Sequence, residues 1–238
     1  EEAVKWYQKG AELGSAVSQR NLGYCYAEGC GVEHSHEKAV EWYQKAADQN
    51  DADAQYAMAN YYYNGIVVAQ DYALAAKYYA LAAESEHVEA QYYLGLCYQN
   101  GYGVKKNDKK ALSLFMNAAE MGYPDAQNTI GMFYLDAENE KDNFVKAVEW
   151  FSKASEQGNK ESQYQLGNCY FAGVGVDTNY VTAINYYLMA AEQQHDDAQY
   201  KLGKCYYEGK GVDTSYVNAV KWFTEAAQHS NNDAQYLL

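Results

Sequence analysis

Proline is almost absent. Pro124 is the only one in 238 residues, as suits a mainly helical chain, because proline removes an amide donor and clashes inside a helix. Arginine is equally scarce, with Arg20 alone, and 18 lysines and arginines against 32 acidic residues leave a net charge of −14. That balance argues against nucleic acid, since neutralising phosphates takes clustered lysine and arginine. It favours a neutral or basic partner, or plain solubility. No apolar run approaches the ~20 residues of a membrane-spanning helix, so no direct membrane insertion is expected in this segment. No Asn-x-Ser/Thr sequon occurs, which leans against the secretory route and makes a cytoplasmic location the expectation.

What the chain does have is repetition. Glutamine recurs at Gln19, Gln55, Gln91, Gln127, Gln163, Gln199 and Gln235, and 235 − 19 = 216 = 6 × 36, so every step is 36 residues. Three residues on stands Leu22, Met58, Leu94, Ile130, Leu166, Leu202 or Leu238, and a small residue follows at Gly23, Ala59, Gly95, Gly131, Gly167 and Gly203. Seven after the glutamine comes Tyr26, Tyr62, Tyr98, Tyr134, Tyr170 or Tyr206. A fixed period of this size marks a stacked repeat array, in which one supersecondary unit buries its face only against the next. The expected layout is a single solenoid over 1–238. Residues 1–14 form the second helix of a cut repeat. Full repeats follow at 15–50, 51–86, 87–122, 123–158, 159–194 and 195–230, and 231–238 begins another. A chain that opens and stops inside a repeat is expected to be part of a longer one.

The spacing predicts two helices per repeat. In the first, positions 18, 19, 22, 25 and 26 and their equivalents follow the i, i+3, i+4, i+7 rule of a buried helix face. The small residue beside Leu22 predicts close approach of a neighbouring backbone. Gly29, Gly65, Gly101, Gly173 and Gly209 are placed to end this helix. The second helix has six candidate N-caps at Ser35, Asp71, Asn107, Asn143, Asn179 and Ser215, all with a side-chain oxygen able to accept a first-turn amide. Alanines at Ala39 and Ala46 and their equivalents alternate with bulky Trp42 and Tyr43, Tyr78 and Tyr79, Trp150 and Phe151, Trp222 and Phe223. The fourth repeat departs from the pattern, with Ala137-Glu138-Asn139-Glu140 where others carry Gly-x-Gly-Val. There Asn139 is the candidate for a left-handed turn.

Across the whole chain the pattern Ala-Gln-x-x-Leu-Gly-x-x-Tyr-x-x-Gly-x-Gly-Val, then Lys-Ala-x-x-Trp-x-x-Lys-Ala-Ala, resembles the Sel-1-like repeat family; Ala198–Val212 and Lys38–Ala47 are good copies. The resemblance implies an all-α, right-handed α/α superhelical solenoid related to tetratricopeptide repeats. It implies a non-catalytic scaffold or adaptor that holds a protein or peptide along a concave groove lined by the first helices. It also suggests an alternative, because cysteine-rich relatives have been linked to β-lactam binding; Ser35-x-x-Lys38 would then supply Ser35 as nucleophile. The companion Ser-Asp-Asn and Lys-Thr-Gly elements of that chemistry are missing, and Ser35 stands where other repeats put a cap. A secreted branch of the family staples each repeat with a cysteine pair, and that pairing is lacking here.

Other chemistry is thin. Cys25, Cys97, Cys169 and Cys205 share a register position filled elsewhere by Tyr61 and Phe133, so the slot calls for a buried apolar group. Cys30, His34 and His36 are the one cluster of metal-ligand types, loosely spaced in a variable loop, and neither a metal nor any other cofactor is expected. His87 and His195 read as caps or exposed residues, and His229 has no candidate partner nearby in sequence. Remaining is a second stripe on the first helices, at positions 20, 24 and 27. Its candidate partner-binding residues are Tyr56, Asn60, Tyr63, Tyr92, Tyr164, Asn168, Phe171, Tyr200, Lys204 and Tyr207. Such side chains combine apolar area with hydrogen-bonding tips, though the same tyrosines could simply pad the contacts between successive first helices.

Overall fold

The computed structural model describes residues 2–137, 141–228 and 234–235. Among these the chain is all α-helix, an α-solenoid of tandem 36-residue hairpins. In order come α1 (Glu2–Glu12), α2 (Ala16–Glu28), α3 (His36–Ala47), α4 (Ala52–Asn64), α5 (Tyr72–Glu84), α6 (Val88–Asn100) and α7 (Asp108–Glu120). They continue with α8 (Pro124–Asp136), α9 (Lys141–Glu156), α10 (Lys160–Ala172), α11 (Tyr180–Glu192), α12 (Asp196–Glu208) and α13 (Tyr216–Gln228). The chain divides into two compact units, 1–121 and 122–238. In each unit the packing follows chain order, a first helix against its own second helix and that second helix against the next repeat's first.

The helix ends follow from the predicted residues. Gly29, Gly65, Gly101, Gly173 and Gly209 close the first helices in the left-handed conformation, their amides bonding back to the residue four earlier. Ser35, Asp71, Asn107, Asn179 and Ser215 cap the second helices through side-chain oxygens. Asn143 does not. α9 begins two residues earlier, at Lys141, so Asn143 lies inside its first turn. In the same repeat α8 ends on Ala137 with extended backbone, and Asn139, the expected left-handed residue, lies outside the described residues. The array nonetheless continues, with α8 packed along α9. Between repeats the turn takes a left-handed residue at a single register position. It is glycine at Gly14, Gly122 and Gly158 but Asn50, Glu86 and Gln194 elsewhere, a strained choice for the last two.

The small residue in each first helix faces a ring rather than a backbone. A Cβ built on Gly95, Gly131, Gly167 or Gly203 would come within 2.5 to 2.6 Å of Phe115, Phe151, Tyr187 or Phe223. These aromatics are the bulky positions of the paired second helix and are almost fully buried. The second glycine of the Gly-x-Gly turn has another role. At Gly103 and Gly175 the chain runs directly against the backbone of Tyr72 and Phe144, which begin the preceding repeat's second helix or lie in its first turn, leaving no space for a side chain.

The recurrent glutamine ties the joints together. Gln19 Nε2 donates to the Ala11 carbonyl at 3.1 Å, Gln55 to Ala47 at 3.3 Å, Gln163 to Ser155 at 3.4 Å and Gln199 to Ala191 at 3.3 Å. Each bond crosses from a first helix to the last turn of the second helix before it. A second layer completes some of them. Gln49 donates to Gln19 Oε1 at 2.7 Å, Gln157 to Gln127 Oε1 at 2.9 Å and Gln193 to Gln163 Oε1 at 2.8 Å. Ser85 and Met121 occupy that donor position in the second and third repeats, and among the described residues the buried Oε1 atoms of Gln55 and Gln91 have no partner, nor has that of Gln199 in the sixth.

Candidate functional site

The stripe at positions 20, 24 and 27 is half-buried over most of its length, and it is built as repeating ring clusters. In the first unit Tyr56 lies flat under the His87 ring, centroids 4.6 Å apart, with Tyr79 and Tyr93 against it. In the second unit Tyr164 lies under His195 at the same 4.6 Å, with Tyr187 beside it. The two clusters are three periods apart, 164 − 56 = 108 = 3 × 36. Asn60 and Asn168 fasten them: each hydrogen-bonds the tyrosine one turn earlier on its helix and accepts from the buried hydroxyl of Tyr79 (2.6 Å) or Tyr187 (2.8 Å). Burial pushes the Tyr56 phenol up to about 12 and those of Tyr79 and Tyr187 well above their ordinary value.

The histidines are the part that sequence reasoning left as caps, and they are caps with a second contact. Nδ1 of His87 and His195 accepts the amides of Ala90 (3.2 Å) and Ala198 (3.3 Å), which puts the ring proton on Nε2. His195 Nε2 then faces Glu161 Oε2 at 3.1 Å, and that hydrogen bond holds the Glu161 carboxyl below its usual range. His87 Nε2 faces Asp53 at 3.4 Å, and Asp53 also pairs with Arg20. The shared register of His87 and His195, 36 × 3 apart, was the available signal for this lid.

Further along, the stripe opens out. Tyr63 packs edge-on against Tyr72 at 5.3 Å and Tyr102 at 6.1 Å, and Tyr92 meets Phe115 at 5.4 Å. In the second unit Phe171 packs against Tyr180 at 5.0 Å, Tyr200 against Phe223 at 5.9 Å, and Lys204 Nζ sits 5.8 Å over the Tyr200 ring. Tyr207 is 59% exposed beside Tyr216. An exposed apolar ladder was missed altogether: Val145, Val181 and Val217 recur at one register position near the starts of α9, α11 and α13, and Val217 is 82% exposed. Read singly, such valines look like ordinary surface; only their register reveals them.

The other chemical candidates have structural placements. Ser35 Oγ accepts the Lys38 amide at 3.2 Å and donates to Glu37 at 2.9 Å, a helix cap. His36 Nδ1 is within 2.9 Å of the Tyr61 hydroxyl and His34 packs edge-on against the His36 ring; among the described residues no three His, Cys, Asp or Glu groups gather as metal ligands. Cys25, Cys97, Cys169 and Cys205 are free and buried, Cys30 is free and exposed. Burial raises the Cys97, Cys169 and Cys205 thiols to about 11. Among the described residues no helix is long and apolar enough to cross a membrane.

Comparison with known proteins fits this architecture. The Sel1 repeat model matches residues 1–15, 16–51, 52–87, 88–123, 124–159, 160–195 and 196–231. A protective antigen present in uropathogenic Escherichia coli strains, described as displaying an SLR fold, is 35% identical with a TM-score of 0.88; the match covers 99% of this chain and 50% of that one. A Sel1 repeat protein from Oxalobacter formigenes is 34% identical with a TM-score of 0.84, covering 98% of this chain and 68% of the other. An immunity protein from Pseudomonas aeruginosa is 25% identical at TM-score 0.53, over 78% of this chain and 67% of its own. This chain therefore spans half the length of the E. coli antigen. No curated protein sequence gives a significant match.

Proposed function

The chain belongs to the Sel1 repeat family, whose members generally serve as protein-interaction scaffolds, and on that footing we propose that it holds a partner protein or peptide along its first-helix stripe without catalysing a reaction. The observation that carries this reading is the pair of fastened ring clusters. Tyr56 and Tyr164 are each held flat by a histidine above, an asparagine beside and a buried tyrosine behind. Rings fixed before a partner arrives lose little freedom on binding, which is how preorganised aromatic anchors gain affinity.

Asn60 and Asn168 serve in this reading as fasteners of the rings; their carbonyl oxygens are already occupied by Tyr79 and Tyr187. Direct contact falls to Tyr63, Tyr92, Phe171, Tyr200, Lys204 and Tyr207 beside the two anchors. A net charge of −14 favours a neutral or basic segment on this face. Ser35 is a helix cap in this proposal and no acyl transfer is assigned to it.

The test is capture from native lysate with wild type and with Tyr164→Ala/Tyr200→Ala, then calorimetry on the protein retained. The double variant should bind weaker by ~2 kcal/mol or more while its helical circular dichroism is unchanged. Equal affinity of the two would move the docking site off this stripe.

A further inference from the structure

Against its acidic background the chain carries one dense basic segment, Lys105-Lys106-Asn107-Asp108-Lys109-Lys110. It forms the turn from α6 into the first residues of α7, and all four lysines are exposed. The fold does not require them. The same turn, with the same glycine and the same kind of N-cap, is made by Ala69-Gln70-Asp71 in the second repeat and Asp177-Thr178-Asn179 in the fifth. Lys110 does have a packing role, 5.1 Å over the Tyr98 ring, which Lys38 and Lys146 repeat over Tyr26 and Tyr134. Lys106 has a weak exposed pair with Asp108 at 3.6 Å. Lys105 and Lys109 have neither role, and four like charges this close repel one another. Beneath them lies an open cleft of about 450 Å³, lined by Tyr98, Val104, Lys105, Lys106, Asn107 and Lys110. The N-terminus of α7 points into the same region and adds partial positive charge.

We propose that this cleft is a second docking site, distinct from the first-helix stripe, for an acidic peptide segment of a partner protein. Its carboxylates would meet the lysine ammonium groups, and an apolar side chain would seat between Tyr98 and Val104. The occupant is a short peptide rather than a polyanion surface because of scale. Charges are screened beyond ~8 Å at physiological ionic strength, so a short acidic segment meets only the local excess of lysine. A duplex or an anionic bilayer extends much farther and would face the acidic remainder of the molecule as well.

The probe is a short, fluorescently labelled glutamate-rich peptide carrying one leucine, titrated against the whole chain by anisotropy. Wild type should bind it, with affinity falling as salt rises. Lys105→Gln/Lys106→Gln/Lys109→Gln, which leaves Lys110 on Tyr98 and so spares the packing, should bind about tenfold or more weakly. Lys5→Gln/Lys77→Gln/Lys160→Gln changes net charge equally at exposed sites elsewhere and should leave binding intact. So should Tyr164→Ala/Tyr200→Ala, so this site stands or falls apart from the stripe. No binding by wild type, or equal loss in the control lysine variant, would overturn the proposal. Phosphatidylserine vesicles or duplex DNA binding as tightly as the peptide, through the same lysines, would also overturn it and give the surface to a different ligand.

Discussion

Gly167 illustrates how one atom sets the distance between two helices. A helix-interior glycine ordinarily costs about 1 kcal/mol against alanine, yet here the missing Cβ makes room for the Tyr187 ring, which is fully buried and hydrogen-bonded to Asn168. The ring has nowhere to retreat. Gly167→Val is expected to lower unfolding stability by about 3 kcal/mol, measured by urea denaturation, because overpacking forces ring or backbone to shift. A loss below about half a kcal/mol would mean that the pair can separate freely. The need for a small residue was legible from the sequence, since Gly23 and its equivalents recur at one register position. Its cause was not. Periodicity marks a tight spot but does not say whether a backbone or a ring fills it.

Helices α6 and α7 show the same logic at the scale of elements, in the glutamine ladder. Gln19 and Gln163 each donate to a backbone carbonyl and accept from a second glutamine, but the third repeat puts Met121 where that second glutamine stands in the first, fourth and fifth, and Gln91 Nε2 reaches the Met121 sulfur, at 3.8 Å. Its Oε1 is left buried and unpaired, at the cost of an unmet hydrogen bond. Met121→Gln should restore the geometry of Gln49 on Gln19 and raise stability by about 1 kcal/mol. Thermal unfolding checks this, and an unchanged or lowered midpoint would count against the ladder as a source of stability. Helix number, order and most caps were readable because each rests on local residue choice. The early start of α9 was not, since Asn143 is itself a good capping residue and the register shared with the other repeats places the cap there, whereas the helix begins at Lys141. The candidate stripe was readable as a face but not as fastened clusters. Its histidine lids belong to the next repeat, and contacts between neighbouring repeats leave no mark in the spacing of a single helix.

For the molecule as a whole, the joint described at Gly103 and Gly175 bears on how the gene can change. Within each unit, neighbouring repeats meet through a small set of fittings: a glycine against a backbone at Gly103, Gly175 and Gly211, and a glutamine reaching back to a carbonyl at Gln19, Gln55, Gln163 and Gln199. None of these fittings reaches past an adjacent repeat. Removing one whole period therefore brings together two surfaces already cut to match. Deleting residues 160–195 should give a shorter chain that is still helical and unfolds cooperatively, whereas deleting half that length should not; circular dichroism and a melting curve distinguish the two. If the shortened chain fails to fold, the joints are individually tailored after all. If it folds, the length of the scaffold becomes a quantity that slippage or unequal crossing-over can revise in steps of 36 codons, with reach adjusted and every seam left sound.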